Sequence, residues 1–349
     1  MRAWLAILSI FAGVAWLCLQ ASAQNTAGPT LTNVRAKGFV ECAVGSTTPG
    51  CGFVDSRGTS RGLDVDLCRA VAAAIFGEAN GPNGVARARF VPLNGGQRMP
   101  ALQSGQVDLV VQTLTQTMSR EAANGVLFAG INFYDGQSFL VRKSSGVKRP
   151  ADLAGATICV SAGSTSELNV ADWAQANNIK YSPVVFDQVQ EGRDAYNKGR
   201  CDAYSTDASQ LAALASITHD PENQLVLTEL ISKEPLGPAV RQGDDQWHGI
   251  VKWTLNALID AEEQGITQAN LEEKLASPSQ STRRLLGQTG DYGKFLSLDN
   301  RWAYWALKAV GNYGEIYERN FGAASAMKLP RGKNALWRDG GLMYSAPIR

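Results

Sequence analysis

One short frame occurs twice in this 349-residue chain. It reads Ala101-Leu-Gln-Ser-Gly105-Gln-Val-Asp108 in the first half and Ala195-Tyr-Asn-Lys-Gly199-Arg-Cys-Asp202 in the second. Glycine accepts the left-handed backbone that ends a helix, so each frame predicts a helix end, a tight turn and a strand. Each is followed by a charge. The run Thr115-Gln-Thr-Met-Ser-Arg120 follows the first, and Asp202-Ala-Tyr-Ser-Thr-Asp207 the second. Two similar α/β units therefore each present one charge just past a strand, and the two charges are opposite in sign. A zwitterion placed between Arg120 and Asp207 would match both.

The N-terminus carries a processing signal. Arg2 forms a short positive region, Ala3 to Leu19 is almost wholly apolar, and Ala21-Ser22-Ala23 is a small-residue cleavage site before Gln24. A membrane anchor is the alternative, but the apolar run is only as long as the shortest spanning helices and ends in small residues. Cys18 does not fit a lipoprotein site, because Leu17 before it is too large. With residues 1–23 removed as a signal peptide, about 325 residues remain, which suits two ordinary domains. Lys and Arg number 33 against 32 Asp and Glu, a net charge of +1 that falls to zero without Arg2. That balance asks for neither nucleic acid nor an anionic membrane as a partner.

The pattern along the chain is that of alternating strands and helices. Residues 24–33 read as loose. Phe39 to Val44 reads as a strand, Thr47 to Phe53 as a turn-rich loop, and Asp55 to Gly62 as a hairpin-like connection. Leu67 to Phe76 reads as a helix, introduced by Asp64 and Asp66. Arg87 to Leu93 and Asp108 to Gln112 read as strands, with a short helix at Met99 to Gln103 between them. Phe133 to Val141 leaves this layer. A second unit follows, with strands at Ile158 to Val160, Tyr181 to Phe186 and Asp202 to Ser205 and helices at Glu167 to Ala176 and Gln188 to Lys198. Leu225 to Ile231 returns, and Leu236 to Val240 forms a second crossing. The expected lobes are 34–140 with 241–349, and 141–240. The C-terminal part is expected to be helical at Ile250 to Glu263, Leu271 to Leu275 and Trp302 to Phe321, and then to wrap a surface from Leu329 onward. Two crossings suit a hinge, and a ligand would lie in the cleft between the lobes.

An exported protein meets an oxidising compartment. The strand and helix positions favour pairing Cys42 with Cys68 and Cys159 with Cys201, buried thiols being the alternative, and Cys51 is left over. There is no CxxC and no Cys/His cluster, so neither a zinc site nor any cofactor is expected. Asp64-Val-Asp66 lacks the other ligands of a calcium loop and reads as helix capping. His219 and His248 read as surface residues.

Gly62 to Gly77, the Thr-x-Thr-x-x-Arg run and Gly199 to Asp207 resemble periplasmic amino-acid-binding proteins of ABC importers, the bacterial extracellular solute-binding proteins of family 3. Ile231 to Trp247 and Lys308 to Asn320 look like the general L-amino-acid-binding branch, with its long C-terminal extension. The resemblance covers nearly the whole mature chain. It implies a two-lobed periplasmic-binding-protein fold of type II, no enzymatic activity, a monomer, and an ABC permease as membrane partner. It also implies that Arg120 and Thr115, with Thr113 nearby, grip a ligand α-carboxylate, and that Asp207 grips the α-ammonium. Ser164 and Thr165 would contact the carboxylate at a helix start, where free N–H groups favour anions. Each residue has a plainer reading: Arg120 as a surface residue of a helix first turn, Asp207 as an N-cap, and Ser164 and Thr165 as caps.

The chain also departs from that branch. Cys51 stands where the branch has Phe, Ser60 where it has Trp, and Gln112, Thr113 and Gln116 where it has Arg, Asn and Trp. An aromatic near Gly95 is missing. The side-chain pocket is therefore expected to be roomier, with Phe53 a possible substitute aromatic. Two alternatives differ in class: a dehydratase of the same fold acting on a prephenate-like acid, which would need a tuned acid or base in the cleft, and a ligand sensor for a membrane receptor.

Overall fold

The computed structural model describes residues 28–77 and 86–349. The proposed signal peptide, with Cys18, lies outside them.

Two five-stranded sheets carry the two units. The first runs in the order Ala88–Val91, Val40–Ala43, Leu109–Val110, Ala239–Arg241, Val126–Phe128. The second runs Ser182–Phe186, Thr157–Ser161, Ala203–Asp207, Gln137–Arg142, Gln224–Val226. Each has a parallel trio on one side and antiparallel strands on the other. The repeated frame explains this likeness. Gly105 and Gly199 both sit at positive φ, 80° and 75°, at helix ends. Asp108 Oδ2 then accepts the N–H of Glu41 at 2.8 Å, and Asp202 Oδ2 accepts the N–H of Thr157 at 2.7 Å. The frame's aspartate thus pins the first residues of the neighbouring parallel strand in both units, a role invisible in spacing alone.

The chain crosses between the sheets twice. Phe133–Asp135 and Glu234–Leu236 pair antiparallel, with Glu234 directly opposite Asp135. This two-stranded ladder is the hinge. Both predicted disulfides form, Cys42–Cys68 tying a central strand to its helix and Cys159–Cys201 tying a central strand to the turn that leads into the neighbouring strand Ala203–Asp207. Cys51 remains a free, buried thiol.

Several expectations need correcting. Of the stretch 24–33 expected to be loose, residues 24–27 lie outside the described residues and the part from Pro29 is not loose: Pro29–Lys37 is a helix, started by proline, ended at Gly38 and held by buried Leu31 and Val34. The helix of Asp64 begins earlier than expected, at Leu63, and neither Asp64 nor Asp66 caps it, since the N-cap is Gly62. Asp66 instead accepts hydrogen bonds from Arg319 and Asn320. The predicted helix Trp302 to Phe321 is two helices, Trp302–Val310 and Tyr313–Asn320. The break falls where Asn312 and Glu315 form a reciprocal capping box. Short helices at Gln280–Leu285 and Tyr292–Phe295 were not foreseen. The turn-rich loop and hairpin around Arg57-Gly58 form a small three-stranded sheet, Thr47–Thr48, Gly52–Val54 and Ser60–Arg61. His248 is half-buried, its ring against the carbonyl of Phe128 at 3.0 Å; His219 is exposed.

The C-terminal extension packs on the first unit. The helix Trp302–Val310 lies on Leu63–Phe76, and Phe133 of the hinge stacks on Tyr317 and packs at a tilt against Phe321. The wrapping tail then reaches the hinge: the side-chain amide of Asn334 accepts the N–H of Tyr134 at 2.7 Å and donates to its carbonyl at 3.1 Å.

Candidate functional site

The ends of the parallel strands face each other across a cleft of about 330 Å³. Its walls include Arg120, Thr113 and Cys51 from the first unit, and Ser164, Thr165 and Asp207 from the second. Five of the six predicted site residues are thus brought together. Thr115 is not among the walls. Its hydroxyl is turned beneath them, donating to Glu234 Oε2 at 2.6 Å.

Local chemistry fixes each side chain. Arg120 does lie in a helix first turn, where Thr117 caps its N–H, but the guanidinium turns inward and donates to the carbonyl of Thr115 at 2.6 Å. Asp207 occupies the N-cap position of Ala208–Ser216 yet makes no capping bond; one oxygen accepts from Gln210 Nε2 at 2.6 Å. Ser164 has the plainer role in full, accepting the N–H of Glu167 and donating to Ser161. Thr165 opens the same helix and donates to Glu234 Oε2 at 3.1 Å. Thr113 holds a φ of +36°, uncommon for a β-branched residue, and its N–H lies 3.2 Å from Asp64 Oδ2. Backbone strain of this kind concentrates at ligand sites.

Of the positions where the chain departs from its resemblance, Cys51, Gly95, Gln112 and Thr113 line the cleft. Gln116 does not: its amide is spent on Glu121 at 3.0 Å. Ser60 lies in the small sheet, away from the cleft walls. Phe53 does not restore the missing aromatic, because it faces a separate groove beside Arg61, Arg319 and Met327. At Gly95 a Cβ would come within 2.5 Å of the carbonyl of Ala162, so the two lips meet backbone to backbone. Amides are numerous in the walls: Asn94, Gln97, Gln112, Gln188, Gln190 and Gln210.

The charges were only partly legible. Arg98 and Asp64 also line the cleft, and Asp135 and Glu234 sit at the hinge. Arg98 is buried, with its guanidinium on the carbonyls of Gln112 and Gly95. Burial lowers its pKa to about 10, with Arg120 adding to the effect. Burial likewise lowers that of Arg120, against the attraction of Glu234 and Asp207. Among the acids, burial pushes Asp64 up to about 8, opposed by hydrogen bonds from Thr113 and Asn132. Burial raises Asp135 to about 6 and Asp207 well above the carboxylate range, and Asp135 and Glu234 add to the rise at Asp207. Burial, then Asp64, Asp135 and Asp207, hold the Cys51 thiol well above its ordinary value, so it stays neutral and poorly nucleophilic. No signal in the sequence marked Arg98. Nor did any mark Glu234, which sits beside Ser232 and Lys233 just before the crossing expected at Leu236 to Val240.

Asp64 yields a stability prediction. Its folded pKa of about 8 lies above its ordinary 3.8, so the folded chain holds a proton that the unfolded chain has released. Its contribution is complete below about pH 4 and is lost as pH rises through 8. Asp64→Asn mimics the neutral form and keeps an acceptor for Thr113. Thermal unfolding between pH 5 and 9 is expected to show a falling wild-type Tm and a flatter variant. The variant should be the more stable at pH 9 by at least ~2–4 °C, about the effect of 1 kcal/mol in a large domain. Parallel curves would contradict the assignment.

Two α/β lobes on a two-crossing hinge, with a charged cleft between strand ends, define the type II periplasmic-binding-protein class. The chain belongs to the bacterial extracellular solute-binding proteins, family 3, which match residues 40–270. The general L-amino acid-binding periplasmic protein AapJ of Rhizobium johnstonii is 48% identical over 98% of this chain and 99% of its own length. The glutamate/glutamine/aspartate/asparagine-binding protein BztA of Rhodobacter capsulatus is 45% identical over the same shares. Among solved structures, an ABC transporter periplasmic binding protein from Brucella ovis with glutathione bound has a TM-score of 0.88 at 48% identity, covering 92% of this chain and 99% of that one. The family is one of extracellular solute-binding proteins rather than enzymes, which leaves the dehydratase alternative without support. No helix among the described residues is long and apolar enough to cross a membrane.

Proposed function

We propose that the cleft captures an α-amino-acid zwitterion bearing an amide-linked extension, a γ-glutamyl peptide such as glutathione, and delivers it to an ABC permease. Arg120 holds the α-carboxylate, with the N–H groups at the start of the Ser164–Thr165 helix and the Thr113 backbone nearby. Asp207 holds the α-ammonium. The protein is exported, loses residues 1–23, and works in the periplasm as a monomer.

The observation that carries the reading is the composition of the walls. Arg120 and Asp207, from opposite lobes, face a space that Arg98, Asp64 and Asp187 also line, together with six amides and, among the described residues, no aromatic ring. Its volume of about 330 Å³ falls in the range of pockets for drug-sized ligands. Gln112 Oε1 is buried without a partner among the described residues. A ligand N–H there would remove the cost of that unsatisfied acceptor. Peptide groups supply such donors, and glutathione in the Brucella ovis relative is such a peptide. The free amino acids named for AapJ and BztA are the second reading, supported by similar overall identity.

Calorimetry on protein recovered from the periplasm, whose mass should begin at Gln24, tests the proposal. Glutathione is expected to bind at least about tenfold tighter than L-glutamate, L-glutamine or L-leucine, a difference of ~1.4 kcal/mol. Tighter binding of a free amino acid would overturn the peptide part. Failure of every α-amino acid and γ-glutamyl peptide to bind would overturn the whole.

A further inference from the structure

Glu234 has no place in the cleft wall, yet it is 1% exposed and collects four hydrogen bonds from three separate segments. Thr115 Oγ1, on the first lobe, donates to Oε2 at 2.6 Å. Thr165 Oγ1, on the second lobe, donates to the same oxygen at 3.1 Å. Asn169 Nδ2, one turn along the Thr165 helix, reaches Oε1 at 2.6 Å, and Ser232 in the crossing itself reaches Oε1 at 2.5 Å. The Thr115 and Thr165 hydroxyls are 3.3 Å apart, so one carboxylate oxygen bridges the lobes where they touch.

We propose that Glu234 is a closure latch: it binds both lobes only in the closed form, holding Thr115 beneath the cleft and Thr165 in its wall without itself touching the ligand. Glu234 belongs to the hinge ladder, so it stays fixed while the lobes swing about it. Thr115 follows the first-lobe strand and Thr165 opens a second-lobe helix, so opening carries at least one of them off. A buried carboxylate that loses a donor bears a desolvation cost, and that cost falls on the open state. Asp135 lies directly opposite on the partner hinge strand, and two acids so placed repel. The donors from both lobes offset that repulsion, which makes the closed arrangement the one in which the hinge is at rest. The latch therefore raises the fraction of empty protein that is closed. Affinity scales with the population of the binding-competent state. It also explains why Thr115, at the start of the Thr-x-Thr-x-x-Arg run, faces away from the cleft: its carbonyl steadies Arg120 while its hydroxyl steadies closure.

Small-angle scattering of the empty protein tests the latch independently of ligand identity. Wild type is expected to be more compact than Glu234→Gln and Thr115→Val, each of which weakens the bridge. Thr115→Val combined with Thr165→Val should open the protein little more than either alone, because each breaks the same link. With glutathione and L-glutamate as probes, dissociation should quicken by about fivefold or more in each variant while association changes little. Glu234→Asp keeps the charge but shortens its reach, and should behave like Glu234→Gln. A fully functional Glu234→Asp, or scattering curves for the folded variants that superpose on wild type, would overturn the proposal. If Glu234→Gln does not fold, the threonine variants decide alone.

Discussion

Arg120→Ala is expected to raise the dissociation constant for the ligand by at least about 100-fold, beyond 2.7 kcal/mol. The guanidinium is half-buried and pre-set by its bond to the Thr115 carbonyl. Its ordering is therefore complete before ligand arrives, and the planar fork can give a carboxylate two parallel bonds. Truncation leaves the ligand carboxylate buried without its cation, which typically costs about 2–5 kcal/mol. Arg120→Lys is expected to recover only part of the loss, because an ammonium cannot reproduce the fork. Calorimetry reads both variants. Near-normal affinity in Arg120→Ala, with the fold intact by circular dichroism, would remove the residue from the site.

Asp207→Asn is expected to weaken binding by a similar factor and, more tellingly, to reduce a pH dependence. In the empty cleft, burial and the neighbouring Asp135 and Glu234 hold the Asp207 carboxyl well above the ordinary carboxylate range, and Asp135 itself at about 6. Both groups therefore tend to keep protons that a bound ammonium would expel. The empty form carries the higher pKa, so binding releases protons and affinity rises with pH from about 4 through 6 and beyond. Calorimetry in buffers of different ionisation enthalpy measures the release directly. Wild type should release a fraction of a proton near pH 6, and Asp207→Asn less. Equal release in both would mean that the proton belongs to another group.

The backbone plan was legible because it rests on local signals. Glycine at a helix end and aspartate after a turn each act within a few residues, and the frames at Gly105 and Gly199 showed both units and their order. The disulfides were suggested by the same local placement: Cys42 lies on a strand whose following helix carries Cys68, and Cys159 and Cys201 lie at two strands of the second unit. What failed were judgements that depend on distant contacts. The helix Pro29–Lys37 has a polar sequence, and the burial of Leu31 and Val34 that stabilises it comes from the rest of the lobe. The split at Gly311-Asn312 hid inside one apolar period, because a capping box outweighs periodicity locally. Within the cleft, Arg120 and Asp207 could be found because each ends a recognisable run. Arg98 and Glu234 could not, because the meaning of each lies in which lobe or hinge strand it meets. Phe53 shows the opposite error: closeness to Cys51 in sequence did not put both on one wall, since Cys51 lines the cleft from the turn before the strand Gly52–Val54 while Phe53 faces the separate groove.

The central claim is that one zwitterionic end bridges Arg120 on the first lobe and Asp207 on the second. A crystal structure of the protein with the tightest-binding of the screened ligands measures this directly. The account predicts the α-carboxylate against the Arg120 guanidinium and the α-ammonium within hydrogen-bond distance of Asp207, with any extension running past Gln112 toward Gln188. A ligand that leaves either residue unengaged, or lies with its two charged ends reversed, would contradict it.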